Sequence, residues 1–362
     1  MSSPRASPDG HDSRESLKTA AHERDLLKAL LAALDDPAHA AELPGDDPML
    51  VTVARHHRLT PLLSITCAAL LPAPLADLFR RDRLATVARN MVLRRAGEEC
   101  IRALGEAGIP AIVLKGLDYE ARLYDKPGAR PTADVDLLVP NEARRAAFGI
   151  LDRLGFEPRA WAPGFDEPDY HEVAWTRGDV EVDLHLALVP FVRCRIDYSA
   201  IWADARPFRF GSSDALVLSA QHAAIFQSLH MGVDHFAVPA IYLLDLTRLL
   251  PDSTAVRSAE ATAKAWLCHA PFVTAVGLAA AFLPRWQPAP DAPSLPLRSR
   301  RVVDAYGSTS PLPRPEQLLR KFSHFDSFEG ALRYLVVQSR RNLRERVGRG
   351  LRNRTARERL AL

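Results

Sequence analysis

The sequence predicts an α+β fold, with a small mixed β-sheet set between two helical regions. Three observations carry this. Apolar residues recur at helical spacing from His22 to Ala107, the period shortens to that of strands between Ile109 and His185, and helical spacing returns after Ser213.

Each segment has its own reason. Residues 1–20 are Ser, Pro, Asp and Arg with few apolar groups, so they are expected to be disordered. Residues 21–107 form an N-terminal helical region, in which Leu26, Leu27, Leu30 and Leu31, then Leu50, Val53 and Ala54, then Leu84, Val87, Met91 and Leu93 repeat on helical faces between breaks at Pro44, Pro48, Pro61, Pro72 and Pro74. Residues 108–212 form the sheet-bearing core. There the β-branched run 109–114 and the run around Val135, Leu137 and Leu138 read as strands, as do 171–176 and 180–188, with helical patterns over 117–124 and 142–154. Residues 213–283 form a C-terminal helical region with helices at 214–231, 236–250, 255–268 and 271–283. Residues 284–339 hold a proline-rich connection and a last helix near 328–347, and residues 340–362 are a basic tail.

The composition is that of an ordinary globular chain: 362 residues, 47% hydrophobic and 25% charged. No apolar run approaches the roughly 18 residues needed to span a bilayer. The N-terminus lacks the apolar stretch of a signal peptide, so a cytoplasmic protein without a transmembrane segment is expected. Cys67, Cys100, Cys194 and Cys268 lie far apart without metal-ligand spacing and read as buried free thiols. The net charge of +3 is uneven: residues 340–362 carry nine arginines against Glu345 and Glu358, a formal +7, which leaves −4 for the rest.

The chemistry concentrates in the core. In residues 132–139 two carboxylates, Asp134 and Asp136, sit two apart on an expected strand and therefore project from one face. Like charges so placed repel, and a divalent cation relieves the repulsion; Mg²⁺ favours one or two protein carboxylates plus phosphate oxygens. Glu181, Asp183 and His185 repeat the pattern on the next such strand, so pairing of the two strands brings Asp183 to the acidic pair. Three carboxylates can hold two metals about 3.5–4 Å apart. Upstream, Lys115 and Gly116 end a strand and open a helix, where free N–H groups and a close backbone approach suit phosphate. Arg130 reads either as a surface arginine or as a fork-shaped phosphate clamp in the same site.

At these residues the chain resembles the uncharacterised nucleotidyltransferase family of bacterial proteins, within the DNA polymerase beta-like nucleotidyltransferase superfamily. The resemblance spans roughly residues 25 to 280. It is strongest at Leu114–Leu117, Tyr124, Arg130, Ala133–Val139, Val182–His185, Leu229 and His230. It implies a polymerase beta-like core, with Asp134 and Asp136 as the metal pair, Asp183 as the third carboxylate of the catalytic, metal-binding set, Mg²⁺ or Mn²⁺ as cofactor and an NTP as substrate. Most members of the superfamily carry Gly-Ser at the helix start, where this chain has Lys115 and Gly116.

The reading that follows is a metal-dependent nucleotidyltransferase moving a nucleoside monophosphate onto a hydroxyl of a small-molecule or peptide acceptor. Lys115, Gly116, Arg130 and His185 would bind substrate or phosphate. Two alternatives stay open: a non-catalytic nucleotide-binding or regulatory module on the same fold, and a related group transfer in peptide natural-product modification. His171 is expected near His185. His230 and His235, around Asp234, read either as a cap and turn or as an acceptor-binding lip, and Asp245, in an apolar helix, is expected to pair with an arginine. The basic tail lacks interleaved aromatics, so weak nonspecific contact with nucleic acid or an anionic surface is the expectation there.

Overall fold

The computed structural model describes residues 9–159, 171–190, 194–233, 236–286 and 297–307, together with residues 309, 325, 326, 332, 336 and 339. The proline-rich connection, the last helix and the basic tail fall mostly or wholly outside the described residues, as do Asp234 and His235.

The N-terminal region is helical as the spacing predicts: α1 Asp9–Asp35, α2 Pro48–His56, α3 Thr60–Thr66 and α4 Ala73–Glu106. Helix α1 begins inside the segment expected to be disordered. Its buried face of Leu26, Leu27, Leu30 and Leu31 supplies the packing, and extending a helix already nucleated costs little per added residue. Helix α4, 34 residues long, ties the molecule together. Leu75 and Phe79 near its start join the larger hydrophobic core, while Leu93, Cys100, Ile101 and Leu104 near its end pack into a second core against the sheet. Gly97 permits that approach, since a Cβ there would lie 3.0 Å from Val135 and 3.1 Å from the Phe210 ring.

The core holds β1 Ile112–Val113, α5 Lys115–Leu123, β2 Val135–Leu138, α6 Arg144–Arg153, β3 Glu157–Pro158, β4 Glu172–Arg177, β5 Val180–His185, α7 Tyr198–Asp204, β6 Arg206–Phe210 and β7 Ser213–Val217. These strands make one seven-stranded mixed sheet in the order β3-β4-β5-β2-β1-β7-β6. Strand β2 runs parallel to β5 and antiparallel to β1, and β1 runs parallel to β7. Alternation sets the two faces. Val135, Leu137, Val182 and Leu184 point into the core shared with α4 and α6, so Asp136, Asp183 and His185 point to the other face.

That other face is covered by the C-terminal helices: α8 Ala220–Val233, α9 Ile241–Leu249, α10 Ser253–Ala265 and α11 His269–Phe282, followed by α12 Leu297–Asp304. Among the described residues no helix is long and apolar enough to cross a membrane. One difference from the sequence reading is structural. The helix expected from residue 214 starts only at Ala220, and residues 206–217 form the β6–β7 hairpin, which turns at Gly211 with φ +61° and adds two strands to the sheet. The boundary expected at residue 212 therefore falls inside the hairpin. The apolar run Leu216, Val217, Leu218 leads through Ser219 alone into the apolar helix, which hides the change of period.

Candidate active site

The site begins with register. Asp136 on β2 stands opposite Asp183 on β5 in the parallel ladder, and Leu138 opposite His185, so adjacent strands, spaced about 4.8 Å apart, hold both carboxylates on one face. Asp134 lies just ahead of β2, half-buried on the same side. One ligand atom each from Asp136, Asp183 and His185 falls within 4.8 Å of the others. The residues brought tightest together are thus two of the three acids expected, plus the histidine two places along from Asp183.

Charge is arranged around Asp136. Its carboxylate, 2% exposed, receives Lys115 Nζ at 2.7 Å and His185 Nε2 at 3.0 Å. Burial alone would raise this carboxyl, but the Lys115 charge and the His185 hydrogen bond overcome it and hold Asp136 well below the usual carboxylate range. Lys115 is held protonated in the same way: burial opposes its charge, and Asp136, then Asp134, restores it. Burial also disfavours the charged form of His185, and the bond to Asp136 reverses the sign. The other acids lie on the opposite side of the balance. Asp134 is raised by Asp136 and then by burial, and Asp183 is pushed up to about 7 by burial and the Asp136 charge.

This donor set fits a divalent cation. Two carboxylates and an imidazole converge, burial and the Asp136 charge hold Asp183 above the usual carboxylate range, and His185 Nδ1 is buried without a hydrogen-bond partner. Glu172 on β4 brings a further carboxylate, 3.5 Å from that nitrogen.

Lys115, expected to wait for phosphate, is engaged by Asp136 while still lining the cleft above it. Gly116 sits at a kink in α5, at φ 44°, ψ −105°. A Cβ there would come within 2.5 Å of Thr132 Oγ1, so the position requires glycine. That places the Thr132 hydroxyl at the start of the helix. Arg130 is not the surface arginine of one expected reading, and within the cleft lining it is engaged by another residue. It is buried, its Nη2 donates to Asp245 Oδ2 at 2.8 Å, its Nε donates to Asp245 at 3.0 Å, and its Nη1 donates to the Gly116 carbonyl at 3.3 Å. Tyr124 donates to Asp245 from the other side at 2.8 Å. Asp245 pairs with an arginine as expected, and Arg130 is that arginine. Arg130 braces the Gly116 turn from beneath.

Over these residues opens a cleft of about 210 Å³ between the sheet face and helices α8 and α9. Asp134, Asp183 and His185 are in its wall, with His171 close by as expected. His230 lines it from α8; burial, then the Lys115 charge, pushes its imidazole down to about 3, so it is neutral near pH 7. The polar lining residues that escape a reading by spacing are Arg58, Thr132, Glu172 and Tyr242. Glu172 carried a usable signal, since a strand at 171–176 paired with one at 180–188 places it beside His185. Arg58 comes from a turn between helices and had none.

A sequence model of the uncharacterised nucleotidyltransferase family matches residues 44–284, well over half of the chain. None of the curated proteins compared with the chain matches it. Among solved structures, the solution structure of the antibiotic-resistance factor ANT(2'')-Ia is similar at 15% identity and a TM-score of 0.37, over 49% of this chain and 93% of that one. The crystal structure of an antigenic nucleotidyltransferase-like protein from Paracoccidioides brasiliensis aligns at 15% identity and a TM-score of 0.30, over 48% of this chain and 85% of that one.

Proposed function

The chain belongs to the uncharacterised nucleotidyltransferase family, and from that premise we propose that it transfers a nucleoside monophosphate from an NTP to a hydroxyl of a small-molecule or peptide acceptor. Asp136, Asp183 and His185, with Asp134 beside them, would hold a divalent cation, Mg²⁺ or Mn²⁺. The observation that carries the proposal is the in-register pairing, on parallel strands, of buried Asp136 with Asp183, which lines the cleft together with Asp134 and His185. When bound, such an ion offsets the negative charge that gathers on the triphosphate and the attacking oxygen.

The chain's own residues do the rest. Asp183, opposite Asp136 in the parallel ladder and itself lining the cleft, is the carboxylate placed to meet an acceptor hydroxyl. It takes the proton of the acceptor hydroxyl. The freed oxygen forms its bond to the α-phosphorus as that phosphorus loses the bridging oxygen, and pyrophosphate departs. Lys115 and His185 keep Asp136 ionised through the cycle. Gly116, without a side chain, lets a phosphate oxygen approach the backbone at the head of α5.

One observation favours a second reading. Lys115 already neutralises Asp136, an arrangement that would also suit a non-catalytic module binding nucleotide without turnover. Mass spectrometry of reactions containing each NTP, Mg²⁺ or Mn²⁺, and panels of hydroxyl acceptors separates the two. A transferase adds the mass of a nucleoside monophosphate to one acceptor and loses that activity in Asp136→Asn. Nucleotide binding with no added mass on any acceptor, or undiminished transfer by Asp136→Asn, overturns the transferase reading.

A further inference from the structure

Among the described residues, the cations lining the cleft are Lys115, Arg130, Arg58 and the nearby imidazoles. Lys115 is bound to Asp136, and Arg130 is enclosed by Asp245. Arg58 differs from both. Among the described residues no carboxylate lies within ion-pair distance of it; its guanidinium stands 6.0 Å from the centre of the Tyr242 ring, and its charge acts across the cleft on Asp134.

The backbone is bent to place it there. Arg58 follows the end of α2 at φ +58°, in the left-handed region where glycine is the usual occupant of a helix-ending position. The turn is fastened from two sides. Arg58 N donates to the Arg55 carbonyl at 2.9 Å and Leu59 N to the Ala54 carbonyl at 2.8 Å. From the start of α9, Ala240 N donates to His57 Nδ1 at 3.1 Å and Ile241 N to the His57 carbonyl at 3.3 Å. The second pair of bonds sets the turn against the element that carries Tyr242. Leu267 ends α10 in the same conformation, so the left-handed turn by itself is a helix ending; what it does at Arg58, fastened also to α9, is fix the direction of the side chain.

Its position adds a second observation. Beyond Arg58 lies another cavity, of about 400 Å³, between α2, α3, α4 and the 131–133 loop. Arg58, Thr132 and Ala133 line both spaces. Arg58 therefore stands where the carboxylate cleft meets a larger open groove.

We propose that Arg58 is the phosphate clamp of this site: a cation supplied by the N-terminal helices that grips the triphosphate of the bound nucleotide, the part that Arg130 cannot play from its ion pair with Asp245. The assignment rests on the nucleotidyltransferase reading above. It makes the N-terminal helical region part of the active site. A guanidinium suits the task, since its planar fork can donate two parallel hydrogen bonds to a phosphate and keeps its charge at any working pH.

Calorimetric titration of the full chain with Mg²⁺–tripolyphosphate and with each Mg²⁺–NTP tests it, alongside urea unfolding of the same preparations. Hydrogen bonds to charged groups of this kind correspond to a loss of about tenfold or more in affinity. Arg58→Ala and Arg58→Gly should each weaken both ligands by at least that much, Arg58→Lys should recover part of it, and Arg58→Gly should unfold at the same urea concentration as the parent or a higher one. Parent binding that survives unchanged in Arg58→Ala and Arg58→Gly overturns the clamp and leaves the nucleotidyltransferase reading intact. Affinity that falls only in step with stability across the three variants makes Arg58 a structural residue and also overturns it. A parent chain that binds neither tripolyphosphate nor any NTP removes the nucleotidyltransferase reading, and the clamp with it.

Discussion

Replacing Lys115 with methionine isolates the electrostatic design of the site, because methionine keeps the length of the side chain and removes the charge. Lys115 Nζ lies 2.7 Å from Asp136, with the side chains 10% and 1% exposed. Deleting one partner of so buried a pair leaves the other charge uncompensated, at a cost of about 3–5 kcal/mol. The pH dependence should shift as well. In the parent the folded Asp136 carboxyl is depressed, so its contribution is present above the unfolded carboxylate range and is lost as pH falls toward the depressed value. Without Lys115 only His185 opposes burial, so the folded carboxyl is less depressed and the stabilisation it contributes is smaller and is lost at a higher pH than in the parent. Urea unfolding in EDTA at pH 7 should show the loss, and Mn²⁺ should return a large part of it, since ligand at 100 times its dissociation constant contributes about 2.7 kcal/mol. A loss under about 1 kcal/mol, or no greater response to Mn²⁺ in Lys115→Met than in the parent, would refute the reasoning.

Other perturbations follow from the same geometry. Gly116→Ala should cost about 2 kcal/mol or more and depress nucleotide affinity, because the position combines φ 44° with a Cβ contact of 2.5 Å to Thr132; an alanine variant with parent stability and affinity contradicts the role of the kink. Asp245→Ala should destabilise by about 3–5 kcal/mol through the unpaired Arg130, whereas the double change Arg130→Met with Asp245→Leu should recover much of that in denaturant titrations; equal losses in the single and double variants contradict the pairing. Asp183→Asn should stabilise the metal-free chain at pH 8 and not at pH 4, since a carboxyl raised to about 7 in the fold is disfavoured increasingly as pH climbs from the unfolded carboxylate range to that value. A pH-independent effect of Asp183→Asn on the unfolding midpoint contradicts the burial argument.

What the sequence made legible is local or periodic. The strand–helix–strand order from Ile112 to Leu138 could be read from its periods, and the same-face placement of Asp136 with Asp183 follows from alternation once two strands are recognised. The β6–β7 hairpin was hidden because its second strand is separated from the apolar helix α8 by only Leu218 and Ser219, too short a break to mark a change of period. Partnerships across long separations were beyond reach for a different reason. Spacing shows that Arg130 lies near the acidic strand, but only packing of α9 against α5 brings Asp245 to it. Lys115 could be placed at a helix start, yet its direction depends on β1 lying beside β2, which turns the side chain onto Asp136. Arg58 is the extreme case, since the left-handed turn that aims it is held by backbone bonds to residues 240 and 241. Propensity gives an arginine no reason to be there.

The central claim is that Asp136 and Asp183 act as one charged site for a divalent cation. Electron paramagnetic resonance titration of Mn²⁺ into the parent, Asp136→Asn, Asp183→Asn and the double variant, each with a non-hydrolysable NTP present, measures this directly. The account predicts specific binding by the parent, a loss of affinity of about tenfold or more in each single variant, and little further loss in the double variant, the non-additivity expected of groups sharing one ligand. Mn²⁺ affinity unchanged by either substitution, or two losses that add as independent terms, would contradict it.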